Sequence, residues 1–188
     1  SDDDRDKKPV YLSNPYVIEF NPQKETYLEV NSDCNFLHNG HHIISVSLLD
    51  NEYSDVFSSI VSFRDSEDKT AYSIGYSHYF PADLDVTSFI SYSNEDEIKE
   101  SFNLSPSKGT YNIISTTYTR STGISTYSLN SKQSTENLSY SFSGKDWETF
   151  QVGGVKNSSS IENEFHGNIA EIIIIPRILP ADTLIGIE

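Results

Sequence analysis

The stretch Phe165-His166-Gly167-Asn168-Ile169-Ala170-Glu171-Ile172-Ile173-Ile174-Ile175-Pro176 holds the most apolar run in the chain. Consecutive β-branched residues favour an extended strand, and a short run closed by proline has a strand's length rather than a helix's. Both pleat faces of residues 169–175 are mostly apolar, which predicts a strand covered on two sides at the centre of a sandwich. Pro176 should end it, because proline cannot donate to a central ladder. Gly167 lacks a Cβ and so permits a sharp approach to the sheet just before the strand. Glu171 is the one charge in the run, and the expectation is a buried structural carboxylate held by backbone N–H groups or Arg177.

Upstream of this strand the texture is the same. Ser and Thr are abundant, and apolar and polar positions alternate over runs of about five to eight residues, with almost no helical periodicity. Residues 16–20 and 27–30, separated by Asn21-Pro22, read as an early pair of strands. Residues 42–49 form a strong strand. Residues 58–63 and 71–76 flank the charged stretch Arg64-Asp65-Ser66-Glu67-Asp68-Lys69, which reads as a hairpin loop. Residues 86–92 pair with later strands, and 111–119 with 124–129 make a second hairpin through Ser121-Thr122-Gly123. A short strand ends at the pair Gly153-Gly154, and residues 179–187 hold one short helical turn. The implied fold class is all-β, a two-sheet antiparallel jelly-roll sandwich. Residues 1–9 have no large apolar side chain and should be a solvated N-terminal arm; residues 10–188 form a single domain.

Composition narrows the function. The 188 residues carry 28 acidic and 13 basic side chains, a formal charge of -15, so clustered cations for a nucleic-acid backbone or an anionic membrane are not expected. No apolar run approaches the roughly 20 residues of a membrane-spanning helix. With one cysteine, Cys34, the chain can form neither an intrachain disulfide nor a thiolate zinc cluster.

The string from Phe150-Gln151-Val152-Gly153-Gly154 through Phe165 to Asp182 resembles the closing segment of concanavalin A-like, laminin-G-type jelly rolls, with its aromatic, Gly, Ile, small residue, Glu, β-branched run, Arg and short turn. Residues 111–119 and Tyr127-Ser128-Leu129-Asn130 look like the middle hairpin of that family, although position 111 carries Tyr where many members have Trp. The resemblance implies a non-catalytic type of this fold. Laminarinase-type hydrolases of the same superfamily align three carboxylates as Glu-x-Asp-x-Glu on one strand, and that string is missing here. Asp50-Asn51-Glu52-Tyr53-Ser54-Asp55 has a different spacing, and Glu95-Asp96-Glu97 puts neighbours on opposite faces.

Other chemistry is weaker still. His38, His41 and His42, near Asp33 and Cys34, suggest a transition-metal site, but a loop-to-strand junction more simply reads as a solvated polar cluster. There is no nucleophile elbow and no phosphate loop. The resemblance also implies calcium held by loop carboxylates, for which Asp33, Asp50 and Asp55 are the first candidates, with Asp65 and Asp68 beside them. It further implies aromatic sugar-binding surfaces, with Trp147, His78, Tyr79 and Tyr92 as candidates; Tyr76 and Tyr118 are weighed too. Tyr72, Ile74 and Tyr76 share one face and read as core, whereas Trp147, in a turn-like context, is expected to be exposed.

The expected function is a recognition or adhesion module that binds glycans or a protein receptor, displayed extracellularly or on a virion. A structural decoration or fibre subunit that contacts sister subunits is the alternative, and a glycoside hydrolase ranks last.

Overall fold

The structure, a computed structural model, describes residues 10–13, 16–21, 26–31, 33–50, 57–64, 70–78, 84–91, 97–101, 104–119, 121–122, 124–133, 138–139, 147–156, 161–162 and 164–179. In chain order the strands are β1 (Val10–Ser13), β2 (Tyr16–Phe20), β3 (Leu28–Asn31), β4 (Gly40–Leu49), β5 (Phe57–Arg64), β6 (Thr70–His78), β7 (Leu84–Ser91), β8 (Glu97–Ser101), β9 (Tyr111–Thr119), β10 (Ile124–Leu129), β11 (Lys132–Gln133), β12 (Leu138–Ser139), β13 (Thr149–Val152), β14 (Val155–Lys156), β15 (Ile161–Glu162) and β16 (Gly167–Ile175). A 3-10 turn over Asn35–Asn39 leads into β4. The expected arm and the expected helical turn after Leu179 lie outside the described residues.

Two antiparallel sheets carry the fold. The first runs β1-β2-β16-β4-β9-β10-β11, with β12 also on β10, and the second runs β3-β13-β5-β6-β7-β8. The most apolar strand, β16, sits inside the first sheet between β2 and β4, and Pro176 follows its last paired residue, Ile175. Both predicted hairpins form, β5 with β6 and β9 with β10. The two early strands form as β2 and β3, but they do not pair with each other. β2 joins the first sheet and β3 the second. Asn21, after β2, and Thr26, before β3, are joined: Thr26 Oγ1 accepts from Asn21 N at 2.6 Å.

The space between the sheets is filled by aromatic and aliphatic side chains. Phe63, Tyr72 and Ile74 of the second sheet meet Ile43, Ile114, Tyr118 and Tyr127 of the first. The strand partners show how this happens. Phe63 lies opposite Tyr72, and His41 opposite Tyr118, so the pleat turns each of these pairs to one side. The expectation that β16 is covered on both sides fails in part. Ile172, Ile173, Ile174 and Ile175 are half-buried, and Glu171 is exposed. A register shift between Ile169 and Glu171 explains the outward carboxylate: the bulge re-aims the pleat and puts Glu171 in solvent.

Candidate functional site

The expected aromatic surface is corrected by burial. Trp147, Tyr76 and Tyr118 are 0%, 0% and 2% exposed. The Trp147 indole stacks on Phe63 with ring centroids 4.5 Å apart and lies nearly parallel to Tyr72 at 5.6 Å. Its backbone is held as well, because Trp147 N donates to Asn35 Oδ1 and Trp147 O accepts from Cys34 N, both at 2.8 Å. Trp147 therefore joins the turn before β4 to the core and has no face to offer a sugar. His78 ends β6. Tyr79 and Tyr92 lie outside the described residues.

The histidines are corrected too. His41 and His42 are both 0% exposed, not solvated. His41 packs against the rings of Tyr72, Tyr118 and Trp147, with Nδ1 3.0 Å from Leu37 O. His42 points to the opposite side of the sheet, where Nε2 lies 2.5 Å from Ser115 Oγ. Burial pushes the Cys34 thiol up, and the Asp33 carboxylate adds to the effect. Asp33 is exposed and accepts from Asn35 N at 2.9 Å, and Asp50 is exposed with its N–H on His166 O. Asp55, Asp65 and Asp68 lie outside the described residues. Among the described residues, no three His, Cys, Asp or Glu side chains come together as metal ligands, and no helix is long and apolar enough to cross a membrane.

Where the structure does gather polar chemistry is the outer face of the second sheet. Opposed positions on β3, β13, β5 and β6 are Glu29 with Gln151, Gln151 with Ser62, and Ser62 with Ser73. All are turned away from the core that their neighbours Phe150, Phe63 and Tyr72 help to build. Gln151 Nε2 donates to Glu29 Oε2 at 2.7 Å, and Arg64 Nη1 stands 3.7 Å from the same oxygen. Ser62 Oγ donates to Gly154 O at 3.3 Å, while the hydroxyls of Ser59 and Ser73 are 2.7 Å apart. The row is graded in exposure. Ser59, Ser62, Ser73 and Gln151 are fully buried and Arg64 is 4% exposed, but the Glu29 side chain is 26% exposed. Glu29 is thus the open end of a braced polar seam, an oriented acceptor whose guanidinium and amide partners hold it in place.

Sequence reasoning missed this group. It placed Arg64 in the charged hairpin loop, whereas Arg64 is the last residue of β5. The available signal was alternation: Ser62 and Arg64 stand two apart on one strand, as do Glu29 and Asn31 on another.

No family model and no curated protein matches the chain. Solved structures do. The IT-sialidase CBM40 of Ruminococcus gnavus bound to α2,3-sialyllactose aligns at a TM-score of 0.67 and 11% identity, covering 96% of each chain. The fold is a two-sheet antiparallel jelly-roll sandwich. The heptameric SAP-like pentraxin of Limulus polyphemus shares it at a TM-score of 0.63 and 9% identity, over 84% of this chain and 73% of that one. The K499G mutant of the NanB sialidase from Streptococcus pneumoniae gives 0.64 and 10%, over 89% of this chain and 26% of that one. At such identities the likeness to these sandwiches is one of fold.

Proposed function

We propose that the chain is a non-catalytic carbohydrate-binding module, displayed as a recognition or adhesion unit outside a cell or on a virion, with Glu29 at the open end of its sugar-facing seam. The observation that carries this reading is the Glu29–Gln151–Arg64 group, braced on the outside of a sandwich shared end to end with a CBM40 bound to sialyllactose. Saccharides offer many hydroxyls, and a fixed acceptor beside buried donors is what such a ligand needs. The partners of Glu29 also favour binding over hydrolysis. Glycosidases set two carboxylates across the scissile bond, whereas Glu29 meets an amide and a guanidinium.

The test is calorimetric titration of the folded chain with α2,3-sialyllactose and with lactose, alongside a glycan array. Binding of at least one glycan is expected, weakened about tenfold by Glu29→Gln, since an amide cannot accept at both of its head-group positions. A folded sample that binds no glycan overturns the reading. Undiminished binding by Glu29→Gln overturns the site.

A further inference from the structure

We infer that the glycan held at the Glu29 seam is one whose contacted sugars bear hydroxyls and no acidic group, so that a sialoside is disfavoured against its uncharged parent. The inference rests on the carbohydrate-binding reading and names its ligand class. Register defines the ground. β3, β13 and β5 set Glu29 beside Gln151 and Gln151 beside Ser62 in one row, with residue 31 beside Thr149 and Thr149 beside Arg64 in the next, all at positions on the outer face of the second sheet. Arg64 is the one cation of that block, and it is 4% exposed. Its Nη1 stands 3.7 Å from Glu29 Oε2, and the Glu29 side chain is the more open of the two at 26%. A ligand thus meets the carboxylate, with the guanidinium behind it.

Chemistry separates the ligand classes at such a group. A carboxylate accepts hydrogen bonds and donates none, so it suits sugar hydroxyls, each of which carries an O–H donor. The acidic group of a charged sugar brings acceptors and a like charge, and its recognition calls for a guanidinium fork presented to the ligand. In this seam the guanidinium is buried beside Glu29 instead. The wider charge acts the same way. Arg64 leads directly into Asp65-Ser66-Glu67-Asp68-Lys69, three acids against one lysine, and the exposed Glu148 donates its backbone N–H to Arg64 O at 2.8 Å. With 28 acidic and 13 basic side chains, the chain as a whole repels an anionic glycan during approach. A shared sandwich does not bring a shared ligand with it.

The experiment is a glycan array of matched pairs followed by calorimetry on the pair that binds best. Lactose is set beside α2,3-sialyllactose, N-acetyllactosamine beside its sialylated and sulfated forms, and gluco-oligosaccharides beside glucurono-oligosaccharides. The wild type is expected to bind at least one uncharged member, with the acidic counterpart weaker by about tenfold or more. Raising sodium chloride to about 0.5 M should narrow that gap, because salt screens the repulsion. Glu29→Gln, with folding checked by circular dichroism, should narrow it as well, by weakening the uncharged glycan while sparing the acidic one. An acidic glycan bound as tightly as its parent, or a gap undiminished in salt or in folded Glu29→Gln, overturns this inference and leaves the carbohydrate-binding reading standing. Binding of no glycan by the folded wild type overturns both.

Discussion

The phenolic oxygen of Tyr76 lies 2.8 Å from Ser47 Oγ, so a hydrogen bond joins β6 of one sheet to β4 of the other across the buried interior. Both residues are 0% exposed, and neither hydroxyl has water as an alternative partner. Tyr76→Phe removes one hydroxyl and withdraws this partner from Ser47. The expected loss is about 1–2 kcal/mol of unfolding free energy, and Ser47→Ala should cost about as much. The double variant should lose less than the sum of the two, because a polar atom is no longer left behind. Denaturant unfolding of the four proteins checks this. Strict additivity would mean that the two hydroxyls do not depend on each other.

The same burial governs the response to alkali. Desolvation holds the Tyr76 phenol well above its usual range, and the bond to Ser47 opposes that rise without cancelling it. The folded state therefore keeps a proton that the unfolded chain releases near the ordinary tyrosine value of about 10. This contribution is fully present below that pH and falls away as pH rises beyond it. Stability should decline above about pH 10, and by less in Tyr76→Phe. Thermal unfolding of both proteins through that range is the measurement, and parallel curves would refute it.

Gly167 shows how closely β16 is set against β4. It has φ 141°, and a Cβ there would stand 2.1 Å from Leu48 O, a backbone atom that cannot swing aside. Gly167→Ala is expected to destabilise by more than about 2 kcal/mol, from backbone strain together with displacement of the strand. Gly40 offers a milder case, since its Cβ would meet Tyr118 O at 3.2 Å. Gly40→Ala should therefore cost less, and equal midpoint shifts in urea would contradict the argument.

Those same elements show what could be read from the sequence. The β-branched run, its closing proline and the glycine before it are local signals, and local sterics decide them; the sandwich class, both hairpins and the core face of Tyr72, Ile74 and Tyr76 followed from such patterns. Strand partnership is a different matter. β2 and β3 were legible as two successive strands, but alternation says nothing about which sheet a strand joins, and they enter different sheets. Exposure failed for a related reason. Trp147 stands in turn-like sequence, yet the bond from its N–H to Asn35 folds the segment inward. The Glu29–Arg64–Gln151 group draws on three strands far apart in sequence, so no spacing could announce it.

Arg64 and Glu29 form an unequal pair, a guanidinium that is 4% exposed beside a carboxylate that is a quarter exposed. Removing the carboxylate leaves a buried cation with less compensation, and removing both does not. Glu29→Ala should lower stability by about 1–3 kcal/mol, and Arg64→Met in the Glu29→Ala background should recover part of it. Because the cation is buried, the loss should persist in high salt, where exposed ion pairs fade. Urea titrations at low and high ionic strength decide it; a loss that vanishes with salt would make the pair a surface contact.

Trp147 gives the sharpest way to separate a seam-type sugar site from an aromatic platform. It is the only tryptophan in the chain, so indole emission reports on one position. With 0% exposure and stacked partners on Phe63 and Tyr72, the indole sits in an apolar medium, and its emission should lie well to the blue of a solvated indole and resist quenching by iodide. A sugar bound at Glu29, on the outer face of the second sheet, never touches this ring. Saturating glycan should therefore leave the spectrum unchanged while calorimetry registers binding, and Trp147→Phe should lose stability through a smaller ring in a tight core without losing affinity per folded molecule. A glycan-dependent shift or quench of the indole would instead show that Trp147 reaches the ligand, and would return the site to the aromatic surface that the sequence alone suggested.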